Sequence, residues 1–147
     1  MLLLLLLPEL FQCCPENNKC AGTDQHLGTA SDATLWSPQA VAPGVVWTQV
    51  ALETFHTCGI DSEQRLYCWG RSIEGQLGLG SNDQLTPAVT LVPGGPWRAI
   101  SAGRFFSCAI ATDDRIFCTG ANAEGELGLG DLERRNVFTE VTLPPLP

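Results

Sequence analysis

Thr57-Cys58-Gly59-Ile60-Asp61-Ser62-Glu63-Gln64-Arg65-Leu66-Tyr67-Cys68-Trp69-Gly70 is the stretch that decides how this chain folds. Thr57–Ile60 and Arg65–Trp69 are short runs of residue types that favour extended backbone, and the polar Ser62-Glu63-Gln64 separates them as a hairpin loop should. If the loop centres on Glu63, Ile60 lies opposite Leu66 and Cys58 opposite Cys68. Side chains alternate along a strand, so these four share one face. Fifty residues on, the same pattern returns from Ser107 to Gly120. Thr112-Asp113-Asp114 takes the loop, and Cys108, Ile110, Ile116 and Cys118 take the shared face.

Working outward, the recurrence covers far more than the hairpin. Trp47 returns as Trp97, and Gly75-Gln76-Leu77-Gly78-Leu79-Gly80 returns as Gly125-Glu126-Leu127-Gly128-Leu129-Gly130. Between 44–80 and 94–130, fourteen of thirty-seven positions are identical without a gap. A fixed period of this length marks stacked supersecondary units, none of which buries its apolar face alone. Trp47–Val50 reads as a further strand ahead of the hairpin. In the glycine-rich segment, alternation puts Leu77 and Leu79 on one side and Gly78 and Gly80 on the other, so a neighbouring sheet or an aromatic ring can approach the bare backbone. A turn with positive φ fits Gly75 and Gly125. Val89-Thr90-Leu91 reads as recurring at Val141-Thr142-Leu143, after a short insertion around Leu132–Arg135.

Opposed Cα atoms in an antiparallel pair are close enough for a disulfide. Cys58 with Cys68 and Cys108 with Cys118 are therefore either cross-strand bridges or four reduced cysteines packed as small hydrophobes. The pairing arises twice, which favours bridges and with them an oxidising compartment. Cys13, Cys14 and Cys20 form no such register, and the odd total of seven leaves at least one thiol unpaired.

The composition narrows the function classes. With 44% hydrophobic and 16% charged residues, the chain has the means to build a core. Eight Lys and Arg against sixteen Asp and Glu give a net charge of -8, the wrong sign for a phosphate backbone, so no nucleic-acid partner is expected. Two histidines and no Cys-x-x-Cys pair argue against zinc, and no cofactor or metal is expected. The glycine-rich segment lacks the Lys-Ser/Thr and the following helix of a phosphate loop. No motif ties Ser, His and Asp into a triad, and Asp61, Asp113 and Asp114 read as solvated turn carboxylates, so the chain is not expected to be an enzyme. Leu2–Leu7 are too few to span a bilayer. They read either as a minimal secretion signal or as the start of a truncated chain. A secreted or ectodomain location is favoured over a cytoplasmic one.

The two copies resemble the repeat of the regulator of chromosome condensation family. The match lies in Trp47, His56-Thr57-Cys58-Gly59-Ile60, Tyr67-Cys68-Trp69-Gly70, Gly75–Gly80 and Pro87-Ala88-Val89, and again in Trp97, Gly103, Phe106–Ile110, Phe117–Gly120 and Gly125–Gly130. The added cysteine pair is similar to that of secreted bacterial relatives and crinkly-type receptor ectodomains. Glu53, Phe106 and Thr119 depart from the family pattern of Gly, His and Trp. The resemblance implies an all-β fold, a β-propeller of four-stranded antiparallel blades. Two full copies, about 44–93 and 94–147, and a degraded partial copy, about 18–43, then make an incomplete ring after a leader or truncated start at 1–17.

Repeat arrays present binding surfaces and no reaction centre is visible, so a non-catalytic protein–protein interaction module is expected; the resemblance implies, as the alternative, a guanine-nucleotide exchange factor for a small GTPase, of which this chain would be a fragment. Phe55, His56, Arg104 and Phe105 precede the second strand of each unit and are the partner-contact candidates on one rim, since aromatic and Arg groups anchor protein contacts. Open blade faces also make self-association an expectation: the isolated chain should be marginally folded or oligomeric.

Overall fold

The computed structural model describes residues 42, 44–84 and 86–142. The leader and the degraded copy up to residue 41, with Cys13, Cys14 and Cys20, lie outside the described residues. The described residues form eight strands and no helix. They are β1 (Trp47–Leu52), β2 (His56–Asp61), β3 (Leu66–Gly70), β4 (Thr86–Leu91), β5 (Trp97–Gly103), β6 (Phe106–Ala111), β7 (Ile116–Gly120) and β8 (Arg135–Glu140). They make two antiparallel four-stranded meanders, β1-β2-β3-β4 and β5-β6-β7-β8, one per repeat.

The hairpin register is the one the sequence arithmetic predicts. Cys58 pairs with Cys68 and Ile60 with Leu66, and Cys108 with Cys118 and Ile110 with Ile116. Both cysteine pairs are bridged. The loops carry a residue in the left-handed region, Gln64 (φ 63°) and Asp114 (φ 68°), which returns the chain after three residues.

The core lies between the sheets. Cys58, Ile60, Leu66 and Cys68 of the first sheet meet Trp97, Ala109 and Ala111 of the second, with Leu77 and Val92 closing the sides. Cys58 is fully buried and Ile60 is 2% exposed, whereas their counterparts Cys108 and Ile110 are only half-buried. The same apolar face is therefore covered in the first blade and partly open in the second. Hydrogen bonds stitch the junction. Trp97 N–H donates to the Gln64 carbonyl (2.9 Å), Ile100 N–H to Gln49 Oε1 (2.8 Å), and Gly80 N–H to the Asn136 carbonyl (2.8 Å).

The glycine-rich segment is not a strand. It is two successive tight turns, with Gly75 N–H donating to Ser72 and Gly78 N–H to Gly75. Leu77 is buried and Leu79 half-buried. Gly78 has φ 67°, and a methyl there would sit on the Phe138 ring. The expected approach of an aromatic ring is thus met by a residue of the next blade. Phe138 also resolves the departure at Thr119. In the first blade Trp69 packs against Trp47 (5.8 Å, 48°), and in the second Phe138 takes the equivalent place against Trp97 (5.5 Å, 49°). Thr119, freed from that role, donates its hydroxyl to the Gly75 carbonyl across the junction (2.8 Å).

Two sequence readings are corrected. Tyr67 pairs with Leu91 and Phe117 with Glu140, so Val89-Thr90-Leu91 corresponds to Phe138-Thr139-Glu140 and not to Val141-Thr142-Leu143. Val92 and Val141 then make the same bond, to the carbonyls of Leu66 and Ile116. The second unit is one residue shorter here, with no insertion. Asp61 is not a solvated turn carboxylate. It is 2% exposed, and its oxygens accept from the backbone N–H groups of Glu63 and Arg65 (both 2.9 Å) and from Arg65 Nε (2.7 Å). Ala111 holds the equivalent position, and the exposed Asp113 caps that turn from two residues on.

Burial raises the Asp61 carboxyl, but the Arg65 backbone, the Arg65 guanidinium and the Glu63 backbone outweigh it and hold the group below its ordinary 3.8. A folded value below the unfolded one contributes stability that is present above the unfolded value and lost as pH falls through the folded one. Asp61→Ala is expected to cost about 1–3 kcal/mol at pH 7, from the bonds it removes. Urea melts at pH 7 and in strong acid check this: the gap between variant and parent should close in acid, and a constant gap refutes the electrostatic part.

Candidate functional site

The turn between β1 and β2 and the turn between β5 and β6 emerge side by side at one end of the sheets. They present Phe55 and Phe105, whose rings stack at 5.4 Å with planes 8° apart. Arg71, just after β3, has its guanidinium 5.0 Å from the Phe55 centroid and 5.9 Å from that of Phe105. Arg104 mirrors it, 5.0 Å from Phe105 and 6.0 Å from Phe55. Arg71 N–H donates to the Phe55 carbonyl (2.8 Å), which locks the end of β3 to the turn. Stacked rings contribute about 0.5–1.5 kcal/mol beyond area burial, and each exposed cation–π contact about 0.5–1 kcal/mol. The rings are half-buried, and Arg104 is exposed.

Three of the four rim candidates, Phe55, Arg104 and Phe105, therefore come together. His56 does not join them. It is fully buried, and its Nε2 lies 2.8 Å from Ser107 Oγ. The single Ser107 hydroxyl proton goes to the Gln76 carbonyl (2.9 Å), so His56 is the donor from Nε2. The histidine belongs to the junction between blades: it is the first residue of β2 and reaches Ser107 of the other sheet, while Phe55, one residue earlier, is still in the turn. Its counterpart Phe106 covers Gly103, where a Cβ would meet the ring.

Sequence reading missed Arg71. It has no arginine counterpart, since Ala121 makes the equivalent backbone bond to Phe105, and it enters the rim from just past the second strand of the hairpin. The only available signal was its position one residue past the Trp69-Gly70 pair.

Among the described residues no group of His, Cys, Asp and Glu is placed to hold a metal, and no helix is long and apolar enough to cross a membrane.

The profile described as the regulator of chromosome condensation (RCC1) repeat matches residues 63–110, and a second profile of the same description matches 47–76 and 97–126. Together they span more than half of the chain. The chain belongs to the RCC1 repeat family. Among solved structures, yeast RCC1 (Prp20) bound to Kap60 is similar with a TM-score of 0.74 and 18% identity, over 83% of this chain and 32% of that one. Prp20p from Saccharomyces cerevisiae, studied for its binding to Gsp1p and histones, gives 0.69 and 18%, over 86% and 32%. Human WBSCR16 gives 0.70 and 25%, over 82% and 33%. The chain thus spans about a third of the length of these solved relatives. No curated protein sequence matches it. The two sheets are RCC1-type propeller blades.

Proposed function

We propose that this pair of blades is a non-catalytic protein-binding module and that the rim built by Phe55, Phe105, Arg104 and Arg71 is its contact surface. One observation carries the reading: both repeats place a phenylalanine at the same turn, and the two rings form one shared, half-buried stack at the rim instead of entering the core. Rigid aromatics flanked by guanidinium groups are the usual anchors of protein contacts. The RCC1-type neighbours support the class of partner, since Prp20 is solved with Kap60 and described as binding Gsp1p and histones. Nucleotide exchange has weaker support, because a likeness at 18% identity speaks for the fold alone.

The two bridges support an oxidising, extracytoplasmic setting. The half-open second blade supports self-association as a further mode, which sedimentation over a concentration series would reveal.

The test is affinity capture from the native source, comparing the parent chain with a Phe55→Ala/Phe105→Ala variant, then reconstitution with the purified candidate. At least one partner is expected to bind the parent directly and to lose about 2–4 kcal/mol of affinity with the variant, as hot-spot anchors do. Equal binding of both chains by every direct partner would remove the rim from the reading.

A further inference from the structure

The arginines divide into two groups. Arg65, Arg98, Arg115, Arg134 and Arg135 each have a carboxylate within 4 Å. Arg71 and Arg104 are, among the described arginines, the two without one. In a chain with sixteen Asp and Glu against eight Lys and Arg, carboxylates are abundant, yet these two cations sit on the same pair of rings. Glu74, three residues from Arg71, turns instead toward Arg134 (3.8 Å), and Glu53, in the turn before β2, accepts from the Thr54 hydroxyl (3.2 Å). Arg71 Nε is buried with no hydrogen-bond acceptor. Two like charges gathered on one hydrophobic stack raise the local potential, and a single incoming anion lowers the energy of both.

We propose that the Arg71–Phe55–Phe105–Arg104 cluster receives a carboxylate side chain from an acidic segment of a partner protein. The proposal rests on the reading of the rim as a contact surface and adds the chemistry of what it contacts. Guanidinium groups take a carboxylate through charge-assisted, often forked hydrogen bonds. The stacked rings offer apolar cover for the methylenes of Glu or Asp.

The experiment is fluorescence polarisation of a labelled hexaglutamate peptide against the 147-residue chain at physiological salt, with hexaglutamine as the neutral probe. Hexaglutamate is expected to bind about tenfold more tightly than hexaglutamine, in line with the greater strength of charge-assisted bonds. Arg71→Gln and Arg104→Gln should each remove most of that preference, with circular dichroism unchanged. Arg98→Gln deletes a charge already paired with Asp114 and should leave binding unaltered. Equal loss in Arg98→Gln overturns the proposal, because it reports net charge alone. So does competition by inorganic phosphate at concentrations where acetate is inert, which marks a phosphate site. Release of a self-associated form by the peptide overturns it too, by assigning the rim to a second copy. If hexaglutamate does not bind while a direct partner still needs Phe55 and Phe105, the carboxylate proposal falls and the binding-module reading stands.

Discussion

Replacing Trp97 with alanine is expected to cost about 3–5 kcal/mol, the range for removing a buried large aromatic, and to part the two sheets. Trp97 is 3% exposed and belongs to the core shared by both blades. Its ring meets Phe117 edge-on at 5.4 Å and Phe138 at 5.5 Å, and its backbone N–H is bonded to Gln64 of the other blade. Small domains have total stabilities of only about 5–15 kcal/mol, so a loss of this size leaves little. Trp47, its repeat counterpart, packs on Tyr67 and Trp69 of its own sheet. Trp47→Ala should therefore weaken the first blade and leave the junction in place. Denaturation followed by hydrogen exchange separates the two. Amides of Ile100 and Gly80, which bond across the junction, should lose protection in Trp97→Ala and keep it in Trp47→Ala. Equal loss in both variants would refute the assignment of Trp97 to the junction.

Removing the Cys58–Cys68 bridge by double alanine substitution is expected to cost about 3 kcal/mol, the loop-closure contribution for a ring of this size. The two bridges close loops of equal separation, 10 residues each, so their chain-entropy contributions match. Their surroundings differ. Cys58 and Cys68 are sealed under Trp97 and the alanines of β6, while Cys108 is half-buried on the uncovered face. Thiol–disulfide exchange needs access to a sulfur. A graded phosphine titration with alkylation and peptide mapping should open Cys108–Cys118 well before Cys58–Cys68. Simultaneous opening would mean that the sheets separate before either bridge is attacked.

Much of the blade was legible because local rules and the repeat agreed. A period-2 pattern with a polar three-residue loop admits one register, and two copies gave the same one. The glycine-rich segment was harder. Its alternation of Leu and Gly mimics a strand, but three glycines with positive φ turn it into consecutive bends, a choice made by backbone sterics that hydrophobic pattern does not report. The fourth strand of the second unit was misaligned because β4 and β8 share little sequence, and only the pairing partners Tyr67 and Phe117 fix the offset. At the rim, adjacency to the second strand found Phe55, Arg104 and Phe105. It also swept in His56, one residue further, where the turn has ended and the first residue of β2 enters the junction. Arg71 reached the site through tertiary proximity, which no local pattern encodes.

The junction joins unlike surfaces in a fixed sense: a bridged cysteine face below, a tryptophan-and-alanine face above. Any complete unit inserted beside its parent meets the partner surface it already fits, whereas a gain or loss of half a unit spoils two seams at once. Genes for such chains can grow or shrink in whole modules with little penalty, and exposed loop residues that touch no seam remain free to diversify with each duplication.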